Sequence, residues 1–303
     1  MRTGQSQSGS TSGYRGSLTT GKLFSQCHRP TRSLVRQCPC HWPGQSHSRS
    51  GGISLECPTP EELVTEFRKR LIEWGRANYE EWPWRKDRTP YKVLIAELLL
   101  KRTTRQAVGR EYNKFIEKFP DIESIYRASF EEVRDAFRPL GLYNQRAKQL
   151  KEVARAVVEQ YGGEIPDDID RLKSLPGVAD YIAGAVMSFG FGKPAIIPDA
   201  NVIRVLARVT GIERWSSRGK LKLYAVLEKL LPEDGHEDFN YALLDLGGTV
   251  CRYDRPRCFK CPLRDLCVMG HNDEEMKQCL RRLYKKLGKR DSVHTKVKEQ
   301  NKR

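Results

Sequence analysis

Four cysteines, Cys251, Cys258, Cys261 and Cys267, follow one another in the spacing C-x6-C-x2-C-x5-C. Thiolates this close along a chain can surround one metal centre without help from distant segments, and four sulfur ligands suit either a [4Fe–4S] cluster or structural zinc. Zinc ribbons usually repeat a C-x2-C pair; only one such pair is present here, which favours iron–sulfur, and a disulfide role for these four is not expected. Upstream, Leu175-Pro176-Gly177-Val178-Ala179 separates two helical patterns. Backbone N–H groups at such a turn, backed by the positive end of the next helix, can cradle a DNA phosphate, although an ordinary helix–turn–helix corner has the same look. Asp199 opens the stretch Ala200 to Leu206, either as a helix cap or as a carboxylate able to stabilise a sugar cation or orient water.

The elements that must position these groups are helical almost throughout from Pro60 onward. Leu63, Val64, Phe67, Leu71, Ile72 and Trp74 recur every three to four residues, behind acids in the first turn. Tyr91 to Leu100 is apolar nearly all round, which marks a helix buried on most sides and makes Glu97, its single carboxylate, conspicuous. Lys101 and Arg102 end that helix, where solvated cations complement the dipole but could equally contact a base. Further helices are expected over 106–119, 121–127, 129–137, 144–161 and 168–174, then from 180 to 189, near 200–210, over 219–231 and over 236–247, before the cysteine loop. Short connections imply antiparallel neighbours, no strand alternation or repeat is visible, and the fold class is all-α.

The chain has 303 residues and a formal charge of +16. Residues 1–55 hold seven Lys or Arg and no acid, are rich in Ser and Gly, and show no apolar periodicity, so this basic extension is expected to be disordered. Its composition fits an organellar transit peptide and equally a start codon placed too far upstream. Residues 271–303, with eleven Lys or Arg against five acids, read as a basic tail. The segment between carries only +3, so the total charge says more about the ends than about a specific site. Cys27, Cys38, Cys40 and Cys57 lie in or just beyond the extension and Cys279 in the tail. No run approaches a membrane span, and a soluble intracellular protein is expected, in cytoplasm or nucleoid, or in nucleus or organelle.

Leu-Pro-Gly-Val, some twenty residues, an Asp at a helix start, and then a four-cysteine loop after Leu243-Leu244-Asp245-Leu246-Gly247 resemble the helix–hairpin–helix superfamily of DNA glycosylases, the endonuclease III superfamily. The resemblance spans about residues 60–268. It implies a two-lobed helical domain over 56–270, with a six-helix lobe at about 83–193 and a cluster lobe from 60–82 plus 194–268. By it Asp199 is the catalytic aspartate, Cys251, Cys258, Cys261 and Cys267 hold a [4Fe–4S] cluster, and Leu175, Gly177, Val178 and Ala179 grip DNA. The bifunctional branch carries a lysine where this chain has Tyr181. Tyrosine cannot form an imine, so water is the expected nucleophile and strand cleavage should be absent or weak.

Glu97-Leu98-Leu99-Leu100-Lys101-Arg102-Thr103-Thr104, Gly141-Leu142-x-Asn144-Gln145-Arg146-Ala147 and Tyr181 are similar to the archaeal-type thymine–DNA mismatch glycosylases. That likeness implies a base-excision repair enzyme, acting as a monomer on mismatched double-stranded DNA and releasing thymine or uracil opposite guanine. Lys101 and Arg102 would then fill the vacated stack or contact the widowed guanine, and Glu97 would act as an acid on the base or hydrogen-bond to it. The adenine branch, acting on adenine opposite 8-oxoguanine or guanine, is the alternative; it usually has two glutamines where Lys101 and Arg102 stand, and a C-terminal domain for which few residues follow Cys267. A reading of another class is a non-catalytic iron–sulfur DNA-binding protein, against which Asp199 speaks. Ala179 replaces the usual hairpin glycine, which would strain the turn only if its φ is positive.

Overall fold

The computed structural model describes residues 57–289, and among them there are helices and turns but no strand. The expected extension at 1–55 and residues 290–303 lie outside the described residues. Helix α1 (Pro60–Ala77) starts in a reciprocal cap, in which Thr59 accepts from the Glu62 N–H while the Glu62 carboxylate accepts from that of Thr59. Such a cap is worth about 1 kcal/mol. Its buried stripe of Leu63, Phe67 and Leu71 packs on α12 (His236–Asp245), and it also meets α11 (Ser217–Leu230) and α13 (Glu274–Leu287). With α10 (Ala200–Thr210) these form one group of helices.

The other group is built on α3 (Pro90–Leu100), buried over Val93 to Leu99, as its unbroken apolar run requires. Around it lie the short α2 (Pro83–Lys86), α4 (Arg105–Lys118) and α9 (Asp180–Ala185), which runs on into a wide π turn over Val186–Gly190. Helices α5 (Ile122–Arg127) and α6 (Phe130–Phe137) lean on the long α7 (Tyr143–Tyr161), and α8 (Ile169–Ser174) precedes the hairpin. One continuous core of apolar side chains runs through both groups.

Two expectations need correction. The basic tail does not begin at residue 271: α13 buries Met276, Cys279, Leu280, Leu283, Tyr284 and Leu287 along one side. Its Lys and Arg residues fill only the outer face and mask the amphipathic period when charge alone is counted. Cys279 is also joined by a disulfide to Cys57, 222 residues earlier, so both are part of the folded unit. No helix among the described residues is long and apolar enough to cross a membrane.

Candidate active site and metal loop

Asp199 is delivered to the cleft by an extended crossing segment, Lys193–Pro198, pinned from α12. Asn240 donates to the carbonyl of Ala195 (2.9 Å) and to the Ser188 hydroxyl (3.0 Å), and His236 bridges the same hydroxyl and the carbonyl of Gly192. Gly184, in α9, is required by this crossing: a Cβ there would stand 2.0 Å from the carbonyl oxygen of Ile196. At the end of the segment Asp199 caps α10, accepting from the Val202 N–H (2.5 Å) and the Asn201 side-chain amide (2.9 Å). The cap reading and the catalytic reading are compatible, because each carboxylate oxygen that accepts one bond from the helix keeps a further lone pair for the cleft.

Glu97, Tyr181 and Asp199 come together. The Tyr181 hydroxyl donates to Glu97 Oε2 across 84 residues of sequence. Glu97 is only 6% exposed, and burial pushes its carboxyl up to about 7, helped by the nearby Asp199 charge and opposed by the Tyr181 bond and by Arg105 and Arg85. Burial raises Asp199 as well, but its two N–H donors work the other way. Two carboxyls share one cleft in different surroundings: Glu97 is the one able to carry a proton near neutrality, while the rise that burial gives Asp199 is opposed by its hydrogen-bond donors. Burial and the neighbouring Glu97 push the Tyr181 phenol far up, so it stays a neutral donor.

Sequence reading missed the charged frame beneath this cleft. Arg85 and Asp245, 5% and 3% exposed, form a two-pronged ion pair with both contacts at 2.8 Å. Arg105 joins the same carboxylate at 2.6 Å, and Arg85 also stacks over Tyr241, its guanidinium carbon 4.4 Å from the ring centre. The signal available was Asp245, an acid inside the apolar run before the cysteine loop. Arg146, noted only as part of a motif, is buried and donates to the carbonyls of Leu98 (3.3 Å), Leu99 (3.1 Å) and Lys101 (2.5 Å) and to the Thr103 hydroxyl, closing the end of α3.

That closure shapes the segment carrying Lys101 and Arg102, which line a cavity of about 220 Å3 with Leu98, Leu142, Gln145 and Gln149. Arg102 and Leu142, both in its lining, are the two non-glycine residues with positive φ among the described residues, at 59° and 51°. Such backbone is sparsely populated for bulky side chains and holds only where the surroundings impose it. Leu142 is left 49% exposed at the mouth, an apolar tip beside two cations. Gln149 reaches both sides, accepting from Lys101 Nζ and donating to the Pro176 carbonyl, each at 3.5 Å.

In the hairpin the left-handed position falls on Gly177, φ 72°, while Ala179 is extended at φ −102°, so alanine is harmless there. Most helices here begin with a Thr, Ser or Asp cap, but α9 begins at Ala179 with no side chain on its N–H groups. Helices α2, α7 and α12 likewise have no side-chain cap.

The cysteine loop is held by α10. Arg204 donates to the carbonyls of Gly247 (2.7 Å) and Cys251 (3.1 Å), and Arg208 to those of Arg252 (2.7 Å) and Tyr253 (2.8 Å) and, at 3.5 Å, to the Cys251 sulfur. From the other side Tyr284 of α13 donates to the Leu266 carbonyl at 2.8 Å. Cys251, Cys258, Cys261 and Cys267 lie near enough to influence one another's ionisation, and burial pushes Cys261 up to about 12 and Cys267 to about 11, so a cation is needed to make them thiolates. No group of three or more side chains placed to hold a metal ion is found among the described residues.

Residues 95–233, the segment carrying the second half of α3 with Glu97, the hairpin and Asp199, match the model of the HhH-GPD superfamily base excision DNA repair proteins. The chain belongs to that superfamily, and its fold is that of the helix–hairpin–helix DNA glycosylases. Over 215 residues it is 39% identical to a thymine-DNA glycosylase of Aeropyrum pernix, covering 69% of this chain and 96% of that protein. An adenine DNA glycosylase of Rattus norvegicus is 38% identical over 215 residues, 67% of this chain but 42% of that protein. The solved structure of a thermostable thymine-DNA glycosylase superposes with a TM-score of 0.66 at 35% identity, over 69% of this chain and 97% of that one. Like these relatives, the chain is a DNA N-glycosylase.

Proposed function

We propose that this enzyme releases thymine or uracil from mismatches with guanine by hydrolysis, without cutting the strand. The observation that carries the reading is the triad of Glu97, Tyr181 and Asp199, in which a phenol occupies the hairpin position facing two carboxyls and no amine is placed among them. The target base leaves the stack, at a cost of a few kcal/mol that is lowest for a wobble pair. Uncapped N–H groups at α9 hold a phosphate, and Lys101, Arg102 and the exposed Leu142 enter the space left behind. As the N-glycosyl bond lengthens, the Asp199 carboxylate faces the growing positive charge on the sugar and then orients water toward it. Protonated Glu97, held by Tyr181, donates to a carbonyl oxygen of the departing pyrimidine.

Cys251, Cys258, Cys261 and Cys267 would bind a [4Fe–4S] cluster, whose contribution when bound is to cross-link the loop. The fit rests on four thiols within one loop, of which Cys261 and Cys267 are pushed up by burial and need a cation to ionise. Stoichiometric zinc without iron in anaerobically purified protein would refute this assignment.

The adenine reading keeps the same triad, and the relatives at 38% identity favour keeping it in the test. Free base is to be measured from duplexes bearing G·T, G·U and adenine opposite 8-oxoguanine, with and without later alkali. Release of thymine and uracil as intact abasic strands is the expected result. Release of adenine alone would reassign the substrate, and borohydride trapping of a covalent complex would overturn the hydrolytic mechanism.

A further inference from the structure

At the far end of α10 from Asp199, about 16 Å away along an 11-residue helix, α11 and α13 enclose a second groove. Its cavity of about 300 Å3 is lined by Arg218, Lys222, Arg281 and Lys285, with Ile212 and Gly219 in its wall. Arg281 is partnered by Glu274 (3.0 Å), whereas Arg218, Lys222 and Lys285 make no ion pair among the described residues. Glu213, the one acid in the lining, is already engaged by the N–H groups of Trp215 and Ser216. The groove therefore holds a net positive charge that no ion pair among the described residues neutralises. Beside it in sequence stands Trp215, 75% exposed, with the Arg214 guanidinium 4.2 Å from its ring centre on one face. An exposed indole next to a row of cations is the arrangement that holds bases by stacking and phosphates by charge.

We propose that this groove is a second nucleic-acid site, which takes the backbone of another DNA segment while the cleft still holds the first. The proposal rests on the chain's binding DNA but not on which base it releases. With the groove and the cleft at opposite ends of α10, a second duplex bound in the groove lets the protein pass from one DNA to another through a doubly bound state. The kinetic mark of such transfer is a departure rate that rises with the concentration of acceptor DNA, which a one-site protein does not show.

The test follows the full-length protein leaving a fluorescent duplex as unlabelled duplex is added. For the wild type the rate should rise at least about fivefold between low and high competitor, and less so at high salt. In R218E/K222E/K285E the rate should stay flat, while single-turnover base release is unchanged, and Trp215→Ala, a milder change, should reduce the rise partway. A wild-type rate independent of competitor, or a triple variant that transfers as the wild type does, would overturn the proposal. So would polyglutamate accelerating departure as well as DNA does, which would assign the groove to an acidic peptide. If transfer is seen but no duplex yields a free base, the glycosylase mechanism fails and this site stands.

Discussion

The two ends of helix α10 show two ways of holding a functional group. At its N-terminus Asp199 belongs to a cleft framed by buried charges, Glu97 and the Arg85–Asp245–Arg105 cluster, drawn from segments as much as 160 residues apart. Further along the helix Arg204 and Arg208 hold the cysteine loop by its carbonyl oxygens, neutral acceptors of which those of Arg252 and Tyr253, taken by Arg208, are exposed. A buried charge that loses its partner has no water to replace it, whereas a peptide carbonyl at the surface turns to solvent. The cleft should thus be brittle toward single substitutions and the loop clamp tolerant, and substitutions at each end can break that contrast or sharpen it.

The largest effect is expected at the cleft's working carboxylate. Asp199→Asn should lower base release roughly 10³-fold, the range for loss of a positioned acid or base. Asparagine caps helices as well as aspartate does, so thermal stability and duplex affinity should hardly move. A fall in melting temperature that parallels the loss of rate would mean that Asp199 acts only as a cap.

Next comes the frame. Arg85→Met leaves Asp245 buried with Arg105 as its remaining cation, and should destabilise the fold by about 3 kcal/mol, as broken buried pairs do. It should also raise the Glu97 carboxyl further, since Arg85 is one of the charges holding it down. Denaturant melts of the single variants and of Arg85→Met/Asp245→Leu give the coupling; simple additivity would contradict a shared buried pair.

Glu97 gives an effect of similar size with the opposite sign. Its carboxyl is raised from 4.5 to about 7 in the folded protein, so between those values the unfolded chain ionises while the folded one keeps its proton, and stability falls as pH rises. At about 1.4 kcal/mol per pKa unit the loss above pH 7 approaches about 3 kcal/mol, an upper bound. Glu97→Gln should remove that slope and be the more stable protein at pH 8. The rate of base release in the wild type should decline above about pH 7 as the donor proton is lost, and the variant should show a lower rate without that decline. A wild-type rate flat from pH 6 to 9 would remove Glu97 from the proton-transfer role.

How far these features were legible in the sequence follows the same division. The loop's ligands and the hairpin are local, with spacing and turn chemistry written in consecutive residues, and Asp199 announces itself as a cap. Most helices fell within a residue or two of their expected ends, because their apolar periods and their Thr, Ser and Asp caps are local as well. Arg85, Asp245 and Arg105 pair only after folding, and no spacing links positions 160 residues apart. Arg146 looks like any charged residue of an amphipathic helix until α3's open carbonyls meet it. Helix α13 was hidden for a different reason, since eleven Lys or Arg in 33 residues outweigh its six buried positions when composition is summed. The Cys57–Cys279 bond was equally invisible, one partner being assigned to each presumed loose end.

The smallest effect, and the one that tests the contrast most directly, belongs to Arg208→Met. The substitution removes donors to the carbonyls of Cys251, Arg252 and Tyr253 and the contact with the Cys251 sulfur, but Arg204 still holds Cys251 and Tyr284 still holds Leu266. Exposed carbonyls regain water, so the net loss should be about 1 kcal/mol, a third of that for Arg85→Met. Base release should remain within a few-fold of the wild type, while absorption near 400 nm, if the loop carries its cluster, should fade faster in air because a positive charge has left the sulfur's side. Methionine keeps the aliphatic bulk of the arginine stem, so lost packing is not confounded with lost donors. Should Arg208→Met destabilise the fold as much as Arg85→Met does, the loop clamp is as brittle as the cleft, and the difference between neutral and charged acceptors is not what separates the two ends of α10.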